Sequence, residues 1–280
     1  MTDGSGMGLT LVNVGCGAVF HPAWTNLDSN PVAGVVKRWD VRRGLPFSRG
    51  EVDAVYASHI LEHLPRDAVP AMLAECHRAL RSGGVLRVVV PDLEGIARAY
   101  LRSLETALSG APDATADHEW MTVELLDQLV RTQGGGEIHR LLTSGTLRHP
   151  QFVIERLGVE AEQLVRGAAP AAGGGGARQG LRHYLRRVRE EAAIVLAGLV
   201  LGREGAKALR EGLFRRSGQL HLWMYDRASL QRLLHAAGFA DIAQQTAWDS
   251  RIPGFATYEL DTLDGRVRKP DSLFMEALKP

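Results

Sequence analysis

Residues 9–28 read LTLVNVGCGAVFHPAWTNLD. An apolar strand runs into a Gly-X-Gly turn at Gly15 and Gly17, and a short connection leads to a second strand ending in Asp28. In a parallel sheet this order puts an open backbone turn at the carboxyl edge with a carboxylate beside it, an arrangement suited to a nucleoside-bearing cofactor. A turn without side chains lets backbone N–H groups approach a ligand closely. Gly-X-Gly alone is also common in tight turns. Asp28 strengthens the reading, because a carboxylate at the next strand end can accept from both ribose hydroxyls; a helix cap or solvated loop acid is the alternative. Asp40, in KRWDVRRGLPF, follows a third short strand and can accept from an exocyclic amine, with the Val41 N–H facing a ring nitrogen; a surface turn acid is the other reading.

Other nucleotide folds fit poorly. The dinucleotide fingerprint wants a third glycine where Phe20 stands, and the Lys-Ser/Thr of a phosphate-binding loop is missing.

Working outward, VDAVYA (52–57) and VLRVVV (85–90) are continuous runs of the kind buried on both faces of a parallel sheet. Between them Val69, Met72, Leu73, Cys76 and Leu80 recur at helical spacing, and Ser82-Gly83-Gly84 reads as the helix stop. Residues 101–217 lose the strand signal and carry helical periodicity, broken by an Ala/Gly-rich stretch at 168–180 that is expected to be a flexible loop. After it, residues 181–213 combine Arg182, Arg186, Arg187 and Arg189 with an apolar run ending at Leu201. Two readings stay open there: a helix packed on the core with a solvated face, or peripheral membrane contact through 181–201. The α/β pattern returns at 218–280, with Asp226 as an N-cap, Gly238 as a stop and LFMEALKP as a last strand. The expected architecture is a Rossmann-like, doubly wound, mostly parallel α/β sheet. Its core covers 9–100, a helical insert or cap covers 101–217, and the C-terminal strands at 218–280 complete the sheet.

Composition bounds the function. With 280 residues, 45% apolar content and a net charge of +1, the chain can bury one good core and shows no basic excess of the nucleic-acid-binding kind. Cys16 and Cys76 give neither a disulfide framework nor metal-ligand spacing, which points to a reducing, cytoplasmic setting. The N-terminus (1–8) is polar and glycine-rich, a disordered lead-in rather than a signal peptide. The longest apolar run, 192–201, falls short of the about 20 residues that cross a bilayer.

The set VNVGCG, NLD, WDVRRGLPF, VDAVYASHILEHL and ALRSGGVLRVVVPDLE resembles the class I S-adenosylmethionine-dependent methyltransferases, best the small bacterial group often encoded near glycosyltransferases. The resemblance implies S-adenosylmethionine as cofactor. Asn13, Gly15, Cys16 and Gly17 would lie along its methionine and ribose portion, Asp28 at the ribose, Asp40 and Val41 at the adenine, and Ser58 and His59 would complete the pocket. One departure stands out: typical members carry a full helix between the glycine turn and the ribose acid, and here only residues 18–27 intervene.

Methyl transfer to a hydroxyl also needs a proton acceptor, and histidine titrates near working pH. His59 follows the fourth strand, where the methyl should point, and His221 opens the segment after the insert; these are the catalytic candidates. His63 reads as a packing or capping residue, and Glu62 and Asp92 as secondary candidates. His59, Glu62 and His63 superficially resemble a ligand cluster, but the family signature accounts for them, so no metal is expected. Tyr100, Trp120, His139, His149, Trp223 and Tyr225 are available to line an acceptor pocket beneath the insert, and aromatic residues at these spacings fit a core equally well. The readings are an O-methyltransferase of a sugar or glycoside hydroxyl, a methyltransferase of an aromatic or amine acceptor, and a non-catalytic cofactor-binding scaffold. The expected partner is a small-molecule or glycan acceptor, with no nucleic acid.

Overall fold

A computed structural model describes residues 8–167 and 180–280, with 180–186 given by their backbone. The expected N-terminal lead-in as far as residue 7, the Ala/Gly stretch at 168–179, and the side chains of Arg182 and Arg186 lie outside the described residues.

The strands are β1 (Leu11–Val14), β2 (Thr25–Asp28), β3 (Val36–Arg38), β4 (Val52–Ser58), β5 (Leu80–Pro91), β6 (Ala240–Gln245), the short pair β7 (Thr262–Leu263) and β8 (Arg266–Val267), and β9 (Ser272–Leu278). Seven of them form one sheet in the order β3-β2-β1-β4-β5-β9-β6. Pairing is parallel from β3 to β5, and β9 inserts antiparallel between β5 and β6. This is the Rossmann-like, mainly parallel α/β fold.

Alternation along the strands separates two faces. Val12, Val14, Val55, Ala57, Val88 and Met275 point into a core shared with α1 (Val69–Ala79) and α8 (Arg227–Ala236). Asp226 caps α8 with a reciprocal box: its carboxylate accepts from Ser229 N–H at 2.7 Å, and the Ser229 hydroxyl accepts from Asp226 N–H at 3.0 Å. The opposite face is built differently from a doubly wound sheet. Leu11, Ala54, Tyr56, Val89 and Phe274 pack against Trp24, Ile252, Phe255 and Leu260, which lie in loops or short helical turns. Residues 18–24 form no helix, so Trp24 and the segment 246–261 roof the sheet where a crossover helix would lie. Trp24 meets Tyr56 and Phe255 edge-on at 6.1 and 6.3 Å between centroids.

The glycine stop is also corrected. Helix α1 ends at Ala79, and Leu80 is already extended and paired with Val52. Ser82-Gly83-Gly84 lies inside β5, where the register with β4 shifts and Gly83 takes φ 73°. A positive-φ glycine serves a bulge as readily as a helix end.

The helical region comprises α2 (Leu93–Leu108), α3 (Ala114–Val130), α4 (Gly136–Thr143), α5 (Pro150–Leu157), α6 (Val159–Val165) and α7 (Gly180–Arg215). Because α2 starts at Leu93, a border at residue 100 falls within a helix. Ile96, Trp120, Met121, Leu142 and Val153 give this region its own apolar core, closed by Met224. In α7, which is broken at Gly202 (φ 73°), Ile194 is buried, but Val195, Leu196, Leu199, Val200 and Leu201 are 61–80% exposed. That apolar face is therefore not packed on the core. No helix among the described residues is long and apolar enough to cross a membrane.

One buried charge ties the second face together. Arg87, in the middle of β5 and fully buried, donates from Nε to Asp261 (2.7 Å), from one terminal nitrogen to Glu276 and Asp249 O (both 2.9 Å), and from the other to Thr246 O (2.7 Å). Removing one member of such a set strands the others without solvent, at about 3–5 kcal/mol. Arg87→Ala is expected to lose that much stability in urea unfolding; a loss below about 1 kcal/mol would contradict the clamp.

Candidate functional site

The strand order reverses between β1 and β4, and a crevice outside the carboxyl ends at such a point is where α/β sheets bind ligands. Here a cavity of about 350 Å³ opens, lined by Asn13, Gly15, Cys16, Gly17, Ser58 and His59, with Leu260, Asp261, Arg268 and Lys269 opposite. Gly15 (φ 64°) and Gly17 (φ 51°) both hold left-handed backbone. A Cβ on Gly15 would lie 2.4 Å from Ile60 Cδ1, whereas Gly17 faces open space. The turn is anchored to β2: the N–H groups of Gly15 and Cys16 donate to Leu27 O (2.7 and 3.2 Å), and Asp28 accepts from Gly17 N–H (2.9 Å) and Asn30 N–H (2.7 Å).

Asn13 carries the test of fit for the cofactor. Its amide N–H₂ is spent on Val19 O (3.0 Å) and Asn26 Oδ1 (3.1 Å), while its buried Oδ1 has no donor at the cavity wall. An orphaned buried acceptor costs about 1–3 kcal/mol unless a ligand supplies the missing donor. The amino group of S-adenosylmethionine is such a donor, and the residues present fit that cofactor. The Cys16 thiol is pushed up to about 12 by burial and the Asp28 charge, so it packs as a neutral group.

Asp28, Asp40 and Val41 do not line this cavity. Asp28 works behind the turn, as its two hydrogen bonds show. Both oxygens of Asp40 are held by the Arg42 guanidinium (2.9 and 2.8 Å), and Val41 lines a separate pocket of about 110 Å³ with Leu64, Met72 and Glu75.

A second cavity, about 460 Å³, lies between the sheet edge and the helical region. Ile138, Leu142, Leu157 and Leu164 give it an aliphatic wall, and Glu124, Gln128, Arg131, Glu160, Lys269 and Asp271 supply polar groups. It shares His59, His63, Glu160 and Lys269 with the first cavity. Of the two readings left open for the aromatic residues of this region, the pocket one is not found: none of them lines the cavity. Trp120 and Tyr225 are buried in apolar cores, Trp223 lies under the Arg66 guanidinium (4.3 Å), Tyr100 packs on His118, and His149 pairs with Asp117. His139 is exposed on α4. Trp120 and Tyr225 gain more by burial in a core than at a polar wall.

His59 sits where the cavities meet. Its φ of 51° is unusual for a non-glycine residue, and its N–H is held by Val89 O at 2.8 Å. Nδ1 lies 3.1 Å from Glu62 Oε1, and Nε2 lies 3.1 Å from Ser272 Oγ. With a carboxylate at Nδ1 the proton belongs there, which leaves Nε2 to accept from a hydroxyl. Glu62 is fully buried; its Oε1 faces His59 Nδ1 at 3.1 Å, and its Oε2 has no donor. Burial alone would raise its carboxyl; His59, with His221 and His63, outweighs that and holds it at about 2.

The HILEH stretch is a 3-10 turn, Leu61–His63. The His63 ring stacks edge-on against His221 at 4.8 Å, and its Nδ1 lies 3.1 Å from Leu220 O. His221 lines only the second cavity; burial, opposed by Glu62, drops it to about 3. Asp92 precedes α2 and lines neither cavity.

Sequence reasoning missed Ser272 and Asp271. They are remote from His59 in the chain, and only the antiparallel insertion of β9 beside β5 brings them near it. Burial, then the Glu124 charge, pushes the Asp271 carboxyl up to about 6.

Residues 20–88 match a family model described as a methyltransferase domain. No curated protein matches the chain. Among solved structures, it is similar to a chain in the complex between the Haloferax volcanii Trm112 methyltransferase activator and a methyltransferase, at 14% identity and TM-score 0.39 over 98% of this chain and 83% of that one. It is also similar to a Bordetella parapertussis protein described as exported (14%, TM-score 0.36, 98% of this chain and 62% of that one). A third is an S-adenosylmethionine-dependent methyltransferase of Archaeoglobus fulgidus (10%, TM-score 0.39, 97% and 86%).

Two outcomes test this geometry. Asp28→Ala frees the Gly17 and Asn30 N–H groups, and losing a charged hydrogen-bond partner of this kind costs about 1.5–3 kcal/mol, so S-adenosylhomocysteine affinity measured by calorimetry should fall about 10- to 100-fold. Unchanged affinity would remove Asp28 from the site. For Asp271, the folded chain holds the proton more tightly than the unfolded chain does, so stability falls as pH rises from about 4 through 6. Asp271→Asn should therefore be more stable at neutral pH, by up to about 3 kcal/mol, and about equal near pH 4; matching urea midpoints at neutral pH would refute the shift. The match to a methyltransferase domain spans β2 to β5 of a sheet whose glycine turn sits at the switch point.

Proposed function

We propose that the chain methylates a hydroxyl of a small, polyhydroxylated acceptor of the sugar or glycoside class, held in the second cavity. The observation that carries this reading is the junction of the two cavities at His59. When bound, S-adenosylmethionine supplies an electrophilic methyl group on a sulfonium centre. The chain's task is to align an acceptor oxygen with that methyl in a site shielded from water, and alignment of this kind is worth about 7–11 kcal/mol.

His59 Nε2, which faces the cavities' junction beside Ser272 Oγ (3.1 Å), takes the proton from the acceptor hydroxyl. Glu62 keeps the ring oriented through Nδ1. Seven charged or amide side chains on the second cavity's wall, Gln219 among them, favour an acceptor rich in hydroxyls, and with no Phe, Tyr or Trp among its described lining residues, stacking on an aryl acceptor has no platform.

The test is incubation with S-adenosylmethionine and a panel of glycosides, phenols and amines, read by mass spectrometry. The expected result is a single methyl added to a glycoside oxygen, with His59→Ala reducing kcat by about 10²–10⁴-fold. Transfer only to phenols or amines would overturn the acceptor class, and near-full turnover by His59→Ala would overturn the base.

A further inference from the structure

We infer that Glu62, His63 and His221 form a binding site for a divalent first-row metal ion of the zinc class, open toward the second cavity. One ligand atom from each residue can be chosen so that all three lie within 4.8 Å of one another. Ligands of one zinc ion sit about 2.0–2.2 Å from the metal, so the set needs to close by about an ångström to hold it.

An independent observation points to a cation. The Glu62 side chain is completely buried, and with Oε1 beside His59 Nδ1 its Oε2 has no hydrogen-bond donor. A buried carboxylate oxygen without a donor is a costly arrangement that a coordinated metal resolves. His59 lies near Oε1, which leaves Oε2 for coordination.

The surroundings match a metal-binding histidine pair. His63 Nδ1 faces the backbone carbonyl of Leu220 at 3.1 Å, a contact that fixes the tautomer and leaves Nε2 as the ligand. His63 and His221 come from segments far apart in sequence, and both line the second cavity. Two histidines and one glutamate leave a coordination position for an incoming oxygen, as in three-ligand catalytic zinc sites. Imidazole and carboxylate together suit zinc and its neighbours better than magnesium or calcium. A role in polarising the acceptor hydroxyl rests on the function proposed above; the binding site itself does not.

The experiment uses the full chain, stripped with a chelator and titrated with cobalt(II) as a spectroscopic stand-in for zinc. Expected is uptake of one ion per chain, with visible absorption of a low-coordinate site that zinc(II) abolishes by displacement. Glu62→Gln, which keeps the side chain's shape, and His221→Ala should each lose that absorption while still binding S-adenosylhomocysteine, and His139→Ala, on an exposed helix, should keep it. Should Glu62→Gln and His221→Ala fail to fold, circular dichroism and weak S-adenosylhomocysteine binding will reveal it, and His63→Gln replaces them as the test. No uptake by the unmutated chain, or uptake indifferent to these ligand substitutions, would overturn the site. Failure of the glycoside reading would appear instead in the products of turnover and leave this titration unaffected.

Discussion

The buried guanidinium of Arg87 is the constraint on which the second face of the sheet depends. Removing an ion from water costs several kcal/mol even after relaxation, so a charge here persists only if every neighbour answers it. Asp261 and Glu276 do so directly, and each is held in turn: Tyr56 donates its hydroxyl to Asp261 at 2.5 Å, while Ser250 Oγ and Arg251 N–H donate to Glu276 at 2.5 and 2.8 Å. The guanidinium also lies 4.6 Å from the Phe255 ring centroid. In this way β4, β5, β9 and the segment 246–261 become one unit, with loops and short helical turns in place of a crossover helix on that face. The same clamp positions Leu260 and Asp261, which wall the cofactor cavity opposite the glycine turn.

With that wall fixed, the chemistry depends on how two cavities share a boundary. The cofactor cavity is built mainly from strand ends, and the second cavity mainly from the helical region. His59 belongs to both because its left-handed backbone turns the chain out of β4 at the point where Val89 O can hold its N–H. Sparsely populated backbone of this kind costs about 1–3 kcal/mol and persists where the surroundings over-determine it. Here the over-determination comes from β5 on one side, Ser272 of β9 on another, and Glu62 below.

Much of this was legible in local sequence because it rests on local physics. The glycine turn, the Val-rich strands and the Asp226 cap each follow from neighbouring residues, and the shortened 18–27 connection was visible as a gap too small for a full helix. Long-range pairing was hidden. Arg87 reads as one charge in an apolar run, and its partners lie at the far end of the chain; Ser272 and Asp271 become site residues only once β9 inserts beside β5. Ser82-Gly83-Gly84 misleads because a positive-φ glycine fits a bulge as well as a helix end. The aromatic residues of the helical region stayed undecided for another reason: periodicity does not show whether a ring faces a core, a cavity or solvent.

The central claim is that the glycine cradle, its Asp28 anchor and the orphaned Asn13 oxygen form a site for S-adenosylmethionine. Calorimetric titration with that cofactor, its demethylated product and NADH tests it most directly. The account predicts binding of the first two at about micromolar Kd, or about −8 kcal/mol, and none of NADH. Silence from both sulfur compounds, or binding of NADH in their place, would contradict it.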